Sequence, residues 1–313
     1  MIKKSSPAGR PPLPQRLRLE MKSNGALYIM ALPVVLYYLL FRYLPMGGIV
    51  IAFQKFNLAK GIAGSKWIGL DNFINFFNSF YFTRLLTNTF LISFYDLLFN
   101  FPAPILFALL LNEVRNRHFK KTVQTISYMP YFISVVVMCG IIIDFAQAGG
   151  VISNIASFFI GDKVNLLGDP AYFRPIFVAS NIWQGLGYGS IVYCAALSSV
   201  DQELYEAAVI DGAGRFKQTI HITLPSIVPT IIVLLILRMG SILNIGYEKV
   251  MLLYNPATYA TGDVISTFVY RKGFIDYDYG YSTAVGLFNS VINCALLMMT
   301  NWISRKAGET SLF

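Results

Sequence analysis

Long, nearly uncharged apolar runs dominate this sequence and leave few folds open to it. The hydrocarbon core of a bilayer is about 30 Å thick, and about 20 helical residues cross it. Six stretches of that order stand in the chain, at about residues 26–45, 88–111, 123–145, 175–200, 226–254 and 283–303. In lipid, backbone N–H and C=O groups must be satisfied within the segment itself, which favours helices over open sheet. The 313 residues are 55% hydrophobic and 13% charged, about half the charged share of a soluble domain. The expectation is an all-α integral membrane protein with six transmembrane helices.

The basic residues orient it. Lys3, Lys4, Arg10, Arg16, Arg18 and Lys22 face only Glu20 before the first run. Arg115, Arg117, Lys120 and Lys121 follow the second run, and Arg305 and Lys306 follow the sixth. Lys and Arg collect on the cytoplasmic side of membrane proteins, so both termini are expected inside. Lys55, Lys60, Lys66, Arg271 and Lys272 fall outside on this scheme, in long loops where the rule is weak. The net charge of +9 therefore points to membrane flanks and not to nucleic acid. With Pro7, Pro11, Pro12 and Pro14, the first 23 residues are expected to be a mostly disordered cytoplasmic tail. No cleavable signal is evident.

Local features refine the layout. Asp71 is placed as the N-cap of a short helix on the outer membrane surface. Pro102-x-Pro104 suggests a break in the second span, and residues 151–160 a short outer helix. The fifth run is taken as one helix to residue 254. Cys139, Cys194 and Cys294 lie in apolar runs and are expected to be buried lone thiols.

Between the fourth and fifth runs lies a segment too polar to cross a membrane. Ala207, Ala208 and Ala213 are small and favour helix. Glu203, Glu206, Asp211, Arg215 and Lys217 keep it wet. Gly212 and Gly214 permit a bend, and Pro225 closes it. These residues predict a bent helical elbow on the cytoplasmic side. Glu206-Ala207-Ala208, three residues, Gly212, nine residues, Ile222, one residue, Leu224-Pro225 resembles the EAA loop of ABC-importer permeases at every fixed position. Asp211 and Ala213 give the variant found among sugar permeases. The resemblance implies a type I ABC importer permease fold in which this cytoplasmic loop, residues 203–225, docks into an ATPase and couples it to the helices.

Two further stretches narrow the resemblance. One is Phe56-Asn57-Leu58-Ala59-Lys60-Gly61 with Trp67-x-Gly69-Leu70-x-Asn72-Phe73. The other runs from Asn244 to Pro256, with Asp263-Val264-Ile265 and Tyr270-Arg271. They are similar to permeases for oligosaccharides and polysaccharide fragments of the alginate and pectin type. The resemblance implies a bacterial cell-membrane complex with a second related permease, two cytosolic ATPases and an extracellular sugar-binding protein. ATP and magnesium would be bound by the ATPases, with no cofactor or metal on this chain. The chain divides into a basic tail (1–25), a first helix with a long outer segment (26–85) and a five-helix permease core (86–313).

An importer permease makes and breaks no bonds, so it is not expected to be an enzyme. It needs a polar path, and ionisable groups within spans mark either a path or a buried pair. Arg238, Ser241, Asn244 and Glu248 fall within about a third of the circumference of a continuous fifth helix. They line a sugar path, or Arg238 pairs with Asp96 or Asp144. Asn289 and Asn293, one turn apart, serve as substrate contacts or as interhelical glue. Asn181 is a further polar group on the fourth span. Trp183, Tyr193 and Tyr247 either stack on sugar rings or pack as anchors.

Two other classes compete. An ATP-independent carrier or channel could also be built from six spans, but has no need of the elbow pattern. An intramembrane protease would need a Gly-x-Ser-Gly nucleophile and a membrane histidine. The first is absent, and His118 and His221 both lie in cytoplasmic segments. No Gly-Lys dipeptide occurs, so the chain has no phosphate-binding loop of its own.

Overall fold

A computed structural model describes residues 13–160 and 164–306, with side chains from Asn24 to Phe159 and from Val164 to Lys306. Among the described residues it is almost wholly helical. The single sheet is a two-residue antiparallel ladder, β1 (Gln54–Lys55) with β2 (Lys66–Trp67).

Helix α1 (Leu13–Tyr38) bends at Asn24, where φ is −119° and ψ 18°. Ser23, Asn24 and Gly25 are weak helix formers. The part of the expected disordered tail from Leu13 onward is therefore helical; the rest of it lies outside the described residues. Pro14 is tolerated because it stands in the first turn, where its missing N–H would have no partner. The helical path continues through a π turn (Leu39–Tyr43) to a 3₁₀ stretch (Gly47–Phe53). A short helix, α2 (Asp71–Phe77), follows β2. Asp71 is its first helical residue rather than its cap, and Leu70 holds the cap position.

The second span is α3 (Phe82–Tyr95), a π turn (Asp96–Asn100) and α4 (Pro102–Glu113) in one continuous path. The expected break at Pro102-x-Pro104 does not occur. The π turn lies just before the prolines, and Pro102 sits at the start of the new helix, where it is tolerated. The third run breaks instead. Helix α5 (Arg117–Tyr128) and its 3₁₀ extension (Met129–Phe132) meet α6 (Val135–Ala146) at 101°. Pro130 disfavours helix before it, and the Ser134 hydroxyl caps α6 by accepting from the Val137 N–H. Helix α7 (Val151–Ile160) follows.

Helix α8 (Pro170–Ser198) is the longest in the core. Asp169 caps it by accepting from the Ala171 N–H at 2.8 Å, and Pro170 occupies the first position. Gly187 lets α5 approach; a Cβ there would lie 2.1 Å from the Ser127 carbonyl oxygen. The elbow is α9 (Gln202–Ile210) and α10 (Arg215–Gln218), leading through a π turn (Thr219–Thr223) into α11 (Leu224–Met239). Helix α11 stops at Gly240, and a separate helix, α12 (Tyr247–Leu253), begins after a non-helical stretch. The continuous fifth helix to residue 254 is thus two helices. Helices α13 (Ile265–Tyr270) and α14 (Tyr279–Lys306) complete the chain.

Among the described residues, four helical paths are long and apolar enough to cross a membrane: Asn24–Phe53, Phe82–Glu113, Arg215–Met239 and Tyr279–Lys306. The bent pair of α5 and α6 adds a fifth if its two arms form one span. Helix α8, with 29 residues, has the length, but Asn181, Gln184 and the glycines and serines at Ser180, Gly185, Gly187, Gly189 and Ser190 dilute its apolar character.

Three apolar clusters hold the bundle. Ile92, Met138, Phe177, Ile245 and Val250 pack together in one cluster. Phe76, Leu85, Ile265, Phe268 and Val285 form an outer cluster. Ile105, Ala108, Tyr193, Leu197 and Ile227 join α4, α8 and α11. The thiols differ from expectation: Cys139 is buried, Cys194 half-buried and Cys294 exposed, because Cys294 lies on the outward face of α14.

Candidate functional site

Where α3 passes into its π turn, α5 breaks from α6 and α11 ends, the spans leave a cavity of about 610 Å³. Helix α8 forms its remaining wall through Phe177, Asn181, Gln184 and Gly185. Irregular backbone at membrane depth is tolerated only where protein or cavity water satisfies it. Here protein satisfies much of it. Ser93 donates to the Ile242 carbonyl at 2.7 Å, and Ser266 donates to the Ile245 carbonyl at 2.7 Å. The Asn293 side-chain oxygen accepts from the Leu243 N–H at 3.0 Å. Asn289 and Asn293 both donate to the Asn244 side-chain oxygen, at 3.0 and 2.9 Å.

The charges of the cavity form one chain of contacts. Asp96 is buried and pairs with Arg238. It also accepts from Asn181 at 2.7 Å and from Asn100 at 3.2 Å. The Asn181 oxygen accepts in turn from Lys249, whose ammonium lies 5.0 Å from the Phe177 ring centroid. Two cations flank one carboxylate, leaving the wall with a net positive charge. The Arg238 side chain remains 43% exposed, so it is paired and still open to the cavity.

Of the residues predicted for a path, Asn181, Arg238, Ser241 and Asn244 line this cavity. Glu248 and Tyr247 do not; the end of α11 removes the helical phase that put Glu248 on the stripe of Arg238. Tyr247 stacks on Tyr270 at 5.0 Å. Tyr193 is buried in the inner apolar cluster, and Trp183 faces a separate apolar groove with Ile141 and Phe145. Asn289 and Asn293 lie behind the wall, holding Asn244. Arg238 pairs with Asp96 and not with Asp144. Sequence reasoning missed Lys249, Asn100, Gln184, Ser93 and Ser134 as lining residues. Lys249 had a signal, a lone cation before Val250-Met251-Leu252-Leu253.

The elbow is well formed. Asp201 caps α9 by accepting from the Glu203 N–H at 3.0 Å. The chain reverses at Gly212, whose φ of +74° is the left-handed region. Glu206, Ala207 and Asp211 are exposed, and Ala208, Ala213, Ile222 and Leu224 half-buried. The Gln218 amide donates to the Ala213 carbonyl at 2.8 Å and ties α10 to the turn. Tyr205 and Thr223 hydroxyls meet at 3.0 Å, anchoring α9 to the foot of α11, just before Pro225. This leaves an unusual apolar surface in a wet segment, with Ile210 86% and Phe216 78% exposed.

At the other end, Asp263 is fully buried and takes Arg271 through both oxygens at 2.8 Å, and Arg84 at 2.8 Å. Burial works against the Arg271 charge, but the two-pronged Asp263 contact outweighs it and holds the guanidinium pKa above its ordinary value.

Comparison with known proteins assigns the scaffold. Residues 100–309 match the family described as binding-protein-dependent transport system inner membrane component. Protein LplB of Bacillus subtilis is 45% identical over 94% of this chain and 92% of its own. The polygalacturonan/rhamnogalacturonan transport system permease protein YteP of the same organism is 43% identical over 96% and 94%. A bacterial alginate ABC transporter solved in complex with an alginate pentasaccharide-bound periplasmic protein contains a chain 43% identical to this one. The match covers 95% of this chain and all of that one, with a TM-score of 0.87. This chain is a multi-pass membrane protein with the type I ABC importer permease fold, and it belongs to the family of binding-protein-dependent transport system inner membrane components.

Proposed function

We propose that this chain is one of two permeases of an ATP-driven importer that carries oligosaccharides or polysaccharide fragments into the bacterial cytoplasm by alternating access. The single observation that carries the reading is the polar cavity at the breaks of the spans, set in a chain alike over nearly its whole length to a polygalacturonan/rhamnogalacturonan permease and to a chain of an alginate transporter. The six-span layout with both termini inside belongs to this proposal, as does the division into tail, first helix with outer segment, and core. ATP is hydrolysed by partner subunits, with magnesium bound there.

The elbow supplies the coupling. Its exposed Ile210 and Phe216, beside Glu206 and Ala207, make a surface for an ATPase cleft, and the Tyr205–Thr223 contact passes movement to α11. At the far end of α11, Arg238 meets the cargo. A guanidinium half open to a cavity donates to hydroxyls or, two-pronged, to a carboxylate. The positive wall of Arg238 and Lys249 favours an acidic sugar. The coupling reading disfavours an ATP-independent carrier, which has no use for the elbow.

The test is reconstitution of the full complex, with both permeases, ATPases and binding protein. Uronate-containing oligosaccharides on the binding protein should raise ATP hydrolysis and be imported. Uptake that continues unchanged without ATP would overturn the reading.

A further inference from the structure

The outer end of α8 has more positive charge than its protein partners neutralise. Arg84 and Arg271 take both oxygens of Asp263. Arg174 reaches only a neutral group, the Asn88 side-chain oxygen at 2.8 Å. Asn88 in turn donates to the Asp263 carbonyl, which links Arg174 to the cluster without neutralising it. The Arg174 Nε is buried and has no hydrogen-bond partner. Among the described residues Arg174 forms no ion pair.

Beside Arg174 a groove of about 490 Å³ runs between α3 and α8, walled by Tyr95, Phe99, Pro175, Val178 and Ile182. It opens on the other flank of these helices from the cavity. Asp96, Asn100 and Asn181 turn to the cavity, while Tyr95, Phe99, Val178 and Ile182 turn to the groove. Arg174 stands about two turns, or roughly 10 Å, outward of Asn181 along α8. In a spanning helix whose cavity residues lie near mid-membrane, that is the approach to the outer headgroups. A cation at that level above an apolar slot on the perimeter matches the two halves of a phospholipid.

We propose that this groove binds an anionic phospholipid of the phosphatidylglycerol class, with the phosphate on Arg174 and an acyl chain along Tyr95, Phe99, Val178 and Ile182. An apolar helix of a second permease would fill the slot but leave the guanidinium unmatched. A zwitterionic lipid would bring a phosphate together with a competing cation.

The intact complex is the sample. Phe99→Trp puts a fluorophore in the slot, and its added emission over the parent is followed in nanodiscs containing brominated phosphatidylglycerol or brominated phosphatidylcholine. Stronger quenching by the anionic lipid is expected. Native mass spectrometry should show phosphatidylglycerol retained about fivefold less by Arg174→Gln, the effect of one cation near an anionic headgroup, with Arg174→Lys between the two. Equal quenching by both lipids, or equal retention by Arg174→Gln and the parent, overturns the proposal. So does Ile182→Cys forming an efficient cross-link to the second permease, since the slot would then be an interface between subunits.

Discussion

Arg238 and Asp96, 142 residues apart in sequence, form an ion pair across the cavity in which the carboxylate is buried and the guanidinium half open. The pair joins the end of α11 to the π turn of the second span. A movement of the end of α11 therefore carries Arg238, and with it this ion pair at the cavity.

Arg238→Met strands that buried carboxylate with only two neutral donors, Asn100 and Asn181. The expected loss is about 3 kcal/mol, the low end for a broken buried pair because water reaches the arginine. Adding Asp96→Asn should restore thermal stability of the complex without restoring transport. A stable single variant with full transport would show that the pair matters for neither. Failure of the two permeases to assemble in Arg238→Met would make it structural glue alone.

Gly212 sits at +74° with nothing within 4 Å of where a Cβ would stand. Its need for glycine within this chain is conformational and not steric crowding. Valine there is strained by about 1–2 kcal/mol, while asparagine tolerates the left-handed region. Gly212→Val should insert normally but lose ATPase on co-purification, and Gly212→Asn should keep more of it. Equal retention by both variants would disprove the role assigned to the turn.

Asn293 holds the break after α11 through Leu243 and Asn244. Asn293→Leu leaves the buried Leu243 N–H without its acceptor, at a cost of about 1–3 kcal/mol. A lower unfolding temperature with reduced uptake is expected. Uptake reduced at unchanged stability would instead indicate direct contact with the cargo.

Asp263→Asn leaves Arg84 and Arg271 without their anion. Hydrogen exchange should rise across 255–281, the outer segment that this carboxylate ties to α3, and stimulation by the binding protein should fall. Arg84→Lys should have a smaller effect, since Arg271 keeps its two-pronged contact.

Topology is checked by single cysteines in a chain with Cys139, Cys194 and Cys294 replaced. Lys60→Cys should label from outside intact cells and Arg305→Cys should not. Labelling of Arg305→Cys from outside would invert the layout.

The sequence by itself determined the membrane class, the mostly helical character and the bend of the elbow, because these rest on local properties. An apolar run of bilayer length has the length and hydropathy to span, and Gly212 allows the left-handed turn at which the elbow bends. It could name Asp96 as one of two partners for Arg238, yet could not choose between Asp96 and Asp144. Only the tertiary structure decided where the spans break. Asn293, Ser93 and Ser266 come from distant parts of the chain and satisfy backbone groups that α11 and α12 leave free, and Asn289 helps hold Asn244, which lets the helix be interrupted in a membrane. That interruption took Glu248 off the stripe on which an unbroken fifth helix would have placed it, whereas Lys249, close to three full turns from Arg238 in an unbroken helix, shares the cavity wall with it.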